Sequence, residues 1–129
     1  MKLKMGPFAE FGIIDAYDEN KDYQKYEPEK YNCVRVPDDL INGWWEYLLG
    51  MKVIPFGCPA VYTVALNRWG VTIIPPESLP FFVEIVVAKS SLRYKNKKHN
   101  EVLSVLLNSL IELLNKAVSE NKYVIHFGI

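Results

Sequence analysis

Residues 100–127 read NEVLSVLLNSLIELLNKAVSENKYVIHF, and this stretch decides the fold class. Leu103, Leu106, Leu107, Leu110, Ile111, Leu114, Ala117 and Val118 recur at helical spacing and make a wide apolar face. Ser104, Asn108, Glu112, Asn115 and Lys116 make a narrow wet one. A helix this apolar is expected to be the central packing helix, with Asn100 as its cap. Asn121 turns the chain, and Lys122 to Phe127 follows as a strand. The β-branched centre, Val124-Ile125, places that strand inside a sheet rather than at its edge.

Upstream, Ser78 and Pro80 are expected to open a second helix through Val87, although the β-branched run Val83, Ile85, Val86, Val87 leaves a strand open. Val71 to Ile74 and Val61 to Leu66 read as a hairpin joined by Asn67-Arg68-Trp69-Gly70, and Met51 to Ile54 as a short strand. Asp38 caps a further helix, in which Leu40, Ile41, Trp44, Trp45, Leu48 and Leu49 share one face and Gly50 supplies the stop. Tyr31 to Val36 alternates as a strand ended by Pro37. These elements predict an α+β fold: a single mixed or antiparallel sheet of about five strands with two to three helices packed on one side.

The chain has 129 residues, one domain by length, and its hydrophobic half is enough to bury a core. Within 1–129 we expect an acidic, tyrosine-rich arm over 1–30 and an α+β core over 31–129. Phe8 to Ile14 is a candidate short strand, and the rest of the arm reads as an irregular surface segment. No secretory h-region follows MKLKMGPF, and no uninterrupted apolar run has membrane length, so a cytoplasmic protein without a membrane partner is expected.

Catalytic signatures are missing. The glycines are isolated, and no phosphate-cradling loop or nucleophile elbow occurs, so no cofactor is implied. Asp18, Asn20, Asp22 and Glu29 imitate a calcium loop, but Tyr23 stands where its sharp turn needs glycine, so no metal is expected. Cys33, Cys58, His99 and His126 have no zinc spacing. Cys33 and His126 both fall in predicted strands and as neighbours would form a nucleophile and its base; a small enzyme or ligand-binding domain using Cys33, Cys58 or His126 in a pocket is the alternative function. Lys89, Arg93, Lys95, Lys97 and Lys98, with Tyr94, form a basic patch, but a net charge of zero speaks against nucleic acid.

Charge is unevenly spread. Residues 1–50 carry ten acids and six bases, while residues 89–129 carry three acids and seven bases. The 9–30 arm alone holds seven acids and three lysines. Asp15, Tyr17, Asp18, Asp22, Tyr23 and Glu27, with Trp45 as a boundary aromatic, are therefore the candidate binding residues for a protein partner. A homodimer anchored on Trp44 or Trp45 is a further expectation.

The stretches Trp69-Gly70-Val71-Thr72-Ile73-Ile74-Pro75-Pro76-Glu77-Ser78-Leu79 and Asn121-Lys122-Tyr123-Val124-Ile125-His126-Phe127-Gly128-Ile129 resemble those of small, single-domain bacterial proteins, some of which are similar to the immunity partners of secreted toxins. The resemblance covers about a sixth of the chain and assigns no residue a role. It implies an interaction protein, in which the acidic arm would imitate a phosphate backbone in a toxin's basic cleft.

Overall fold

The computed structural model describes residues 8–56, 66, 70–89 and 97–128. Five strands, β1 (Phe8–Ile14), β2 (Val34–Pro37), β3 (Ile54–Phe56), β4 (Val71–Ile74) and β5 (Tyr123–Phe127), lie in the order β2-β1-β5-β4-β3. All neighbours run antiparallel. β2, β1, β5 and β4 form the four-stranded body, and the three residues of β3 extend one edge. β5 lies at the centre, as its β-branched run requires. So does its neighbour β1, and a division of the chain at residue 30 does not follow the fold: residues 8–14 pair with β2 on one side and β5 on the other.

Helices α1 (Asp38–Trp44), α2 (Leu79–Lys89) and α3 (Lys97–Glu120) pack against one face. Strand alternation turns Ala9 and Phe11 of β1, Val36 of β2, Ile74 of β4 and Val124 of β5 towards them. The matching stripe on α3 is Leu103, Leu107, Leu110, Leu114 and Ala117, all buried. Within Asn100–Glu120 an 18-residue window reaches a mean hydropathy of 1.4, so the helix is long and apolar enough to cross a membrane by length and composition. Its buried leucine stripe packs on the sheet, while Val102, Val105 and Val118 are exposed. α2 resolves its ambiguous run as a helix, because Leu79, Phe82 and Val86 then reach the same core.

The strand expected over Tyr31 to Val36 is Val34–Pro37 and includes Pro37, the one expected over Met51 to Ile54 is Ile54–Phe56, and Asp38 stands inside the first turn of α1; three helix boundaries depart further. The helix predicted through Leu49 tightens at Trp45–Leu48 into a 3₁₀ turn, which leaves Leu48 fully buried, and Gly50 then takes φ +88°. α3 starts at Lys97, so Asn100 lies inside it rather than capping it. Ser78 closes the 3₁₀ turn Pro76–Ser78, and its hydroxyl donates to the Lys52 carbonyl at 2.7 Å, tying the start of α2 to the approach of β3. The predicted strand Val61 to Leu66 falls, apart from Leu66, outside the described residues.

The opposite face of the sheet is not bare. Ile14, Val71, Ile73, Ile125 and Phe127 form a second apolar layer, and residues 15–33 lie across it. The segment is irregular, as expected, yet it is a cover rather than a free arm. Tyr23 is 3% exposed. Tyr17 stacks on Tyr23 and on Tyr123 of β5, with centroids 5.6 and 4.9 Å apart. A 3₁₀ turn at Pro28–Tyr31 and a left-handed Asn32 (φ 50°) bring the chain back into β2.

Candidate functional site

The cover has an apolar inside and an acidic outside. Its phenol rings lie against the sheet, so the intervening carboxylates point to solvent: Asp18, Glu19, Asp22 and Glu29 are exposed. Local hydrogen bonds hold them. Asp18 Oδ1 accepts the Asn20 N–H and Asp22 Oδ1 accepts the Gln24 N–H, both at 2.9 Å. The Asp18 N–H donates to the Tyr23 hydroxyl at 2.9 Å. Of the segment's cations Lys21 is half-buried, while Lys25 and Lys30 are exposed. Lys21 Nζ donates to the Tyr31 hydroxyl at 3.1 Å and stands 5.1 Å from the centroid of Tyr23, and Lys30 lies 5.8 Å over Tyr31.

The candidate binding residues divide accordingly. Asp18 and Asp22 belong to the outer acidic surface. Tyr23 does not, because it is buried beneath that surface, and the half-buried Tyr17 stacks on it. Asp15 is exposed but bound to Lys122 Nζ at 2.8 Å, and its hydrogen bond and attraction to that ammonium hold the carboxyl below its usual range. Lys122 also reaches Glu120 at 2.7 Å, and the two bonds raise its own pKa to about 12. Glu27 is half-buried at the start of the Pro28–Tyr31 turn and makes no capping bond. The Trp45 side chain lies outside the described residues. Trp44 is 1% exposed, packed edge-on to Phe82, so it offers no anchor to a second copy.

The calcium-like spacing falls on local turns of the cover. Two of its carboxylates serve as turn acceptors and Tyr23 is core, and among the described residues no three His, Cys, Asp or Glu side chains converge.

Cys33 and His126 lie on opposite faces of the sheet. His126 pairs with Phe11 across β1 and β5, on the helix side, and its ring is 4.9 Å from that of Phe11. Cys33 Sγ approaches Gly12, the neighbouring position that faces the cover. A nucleophile–base pair of Cys33 and His126, part of the alternative function, is therefore excluded by strand parity. Burial pushes the Cys33 thiol up to about 12, leaving it protonated at neutral pH. Burial alone takes His126 down to about 3, and neither ring nitrogen has a hydrogen-bond partner among the described residues. Cys58, Arg93, Tyr94, Lys95 and the His99 side chain lie outside the described residues; Lys97 and Lys98 are exposed at the start of α3.

Two concavities flank the cover. A polar cleft of about 520 Å³ runs between Asn32 and α3, with Lys30, Glu112 and Lys116 on its walls. A groove of about 470 Å³ opens at the other end of the cover, over the cross-strand row Arg35, Glu10, Phe127 and Val71. The Tyr26 hydroxyl donates to Glu10 Oε1, and its ring meets Phe127 edge-on at 5.3 Å. That hydrogen bond, with burial second, raises the Tyr26 phenol to about 12. Arg35 lies over the Phe8 ring, 4.3 Å from its centroid. Sequence reasoning missed this row. Its only trace in the chain is one charge in each of two strands, and the register that aligns them is set by the fold.

No protein-family model, curated protein or solved structure matches the chain.

Proposed function

We propose that the chain is a protein-binding domain that meets a basic partner with the outer carboxylates of its cover. One observation carries this reading: Tyr17 and Tyr23 are packed into the sheet, so Asp18, Glu19 and Asp22 stand on a segment that is already ordered. A preordered surface avoids the entropy cost of fixing a loop at the moment of binding. Complementary charge then accelerates encounter and rejects acidic competitors. A protein that grips phosphates offers a cleft of the required sign. Neutralising a nucleic-acid-cleaving toxin in the cytoplasm is the specific role we put forward.

The test is affinity capture from the native host, with the wild-type chain and an Asp18→Asn/Asp22→Asn/Glu29→Gln variant as parallel baits. Asn keeps both turn acceptors and removes only the charge. A basic protein held by the wild type, released as salt rises and absent from the variant, is the expected result. Equal capture by both baits would remove the acidic cover from the interface.

A further inference from the structure

We propose that the groove beside Tyr26 binds a free α-amino acid with an apolar side chain, its ammonium on Glu10 and its carboxylate on Arg35. Glu10 of β1 and Arg35 of β2 are direct cross-strand partners. Opposite charges so placed have Cβ atoms about 5 Å apart and ordinarily pair. Here they are parted. Arg35 turns onto the Phe8 ring at 4.3 Å, a diagonal neighbour on the same strand pair, and Glu10 is engaged by the Tyr26 hydroxyl. Among the described residues the two form no ion pair with each other. The space between and beside them is a groove of about 470 Å³, within the range that holds small molecules.

Its chemistry is that of a zwitterion site. An ionised carboxylate has four acceptor positions, so Glu10 can keep the Tyr26 bond and still receive an ammonium. The Arg35 guanidinium is exposed, and its planar fork matches a carboxylate with two parallel bonds. The register sets the two on neighbouring positions, which suits a ligand whose ammonium and carboxylate are attached to one carbon. A peptide N-terminus lacks the adjacent carboxylate, and a C-terminus lacks the ammonium. Phe127, 2% exposed, lies at the base of the groove, and Tyr26, 60% exposed, forms an aromatic wall for the ligand's side chain.

Calorimetric titration of the full chain tests this with L-phenylalanine and L-leucine against N-acetyl-phenylalanine and phenylalanine amide. The free amino acids are expected to bind at millimolar concentration or below, and each blocked form about ten-fold more weakly or worse. Glu10→Gln, which retains an acceptor for Tyr26, should bring free phenylalanine down to the level of the N-acetyl form while leaving that form unchanged. Arg35→Met should do the same for the amide. No heat from either free amino acid, or equal binding of the blocked forms to the wild type, would overturn the proposal without recourse to any variant.

Discussion

Gly12 lies directly beneath Tyr31: a Cβ at Gly12 would stand 2.6 Å from Tyr31 Cβ and 2.9 Å from its carbonyl oxygen. This contact lets the cover rest on the sheet, because only a residue without a side chain admits another backbone so closely. The same Cβ would stand 2.8 Å from Cys33 Sγ. Gly12→Ala is therefore expected to destabilise the fold by about 1–3 kcal/mol, the usual cost of overpacking. Urea unfolding measures it, and an unchanged midpoint would mean that residues 31–33 do not lie against β1.

His126 makes stability depend on acid. Its folded pKa is lowered from 6.5 to about 3, so below pH 6.5 the unfolded chain takes up a proton that the folded chain refuses. Stability is lost as pH falls through that window, by about 1.4 kcal/mol per pH unit. His126→Leu, apolar and similar in size, should flatten this limb while keeping stability at neutral pH. The Asp15 and Glu120 carboxyls, both lowered by Lys122, titrate alike in the two proteins and cancel in the difference. Parallel acid limbs would place the histidine in contact with water or a partner.

The Tyr26 phenol should titrate near 12 in the wild type, where the neutral hydroxyl donates to Glu10. Glu10→Ala removes both the acceptor and the nearby charge, so the phenol should then lose its proton at lower pH, towards the ordinary value of 10. Carbon-13 NMR of labelled tyrosine resolves the two curves. A phenol indifferent to the substitution would contradict the hydrogen bond that shapes the groove.

Cys33 should be an unreactive thiol. Burial is the main cause of its raised pKa, near 12, with the Glu10 and Glu29 charges adding to it. In a Cys58→Ser background, exchange with a disulfide reagent at neutral pH should be slow and should accelerate strongly on unfolding. Rapid reaction of the folded protein would restore a chemical role for this side chain.

Legibility in the sequence varied with the range of the interaction. α3 and β5 were readable because leucine spacing and β-branching are local, and Gly50 because its φ of +88° suits glycine. The cover was half readable. Its acids and tyrosines were plain, but their spacing fits neither a helix nor a strand, so nothing local says that Tyr17 and Tyr23 turn inward. Asp15 looked like a free acid because its partner Lys122 is 107 residues away. The opposition of Glu10 to Arg35, and the separation of Cys33 from His126 by the sheet, both depend on register, which one residue of slip would invert.

The most direct test of the acidic cover is the association rate with the captured partner, measured against ionic strength for the wild type and for Asp18→Asn/Asp22→Asn/Glu29→Gln. The wild-type rate should fall steeply with salt, and the variant should start lower and change little, with the same unfolding midpoint for both. Equal rates and equal salt slopes would show that the partner binds elsewhere and that the carboxylates above the tyrosine stack serve only as a solvated surface.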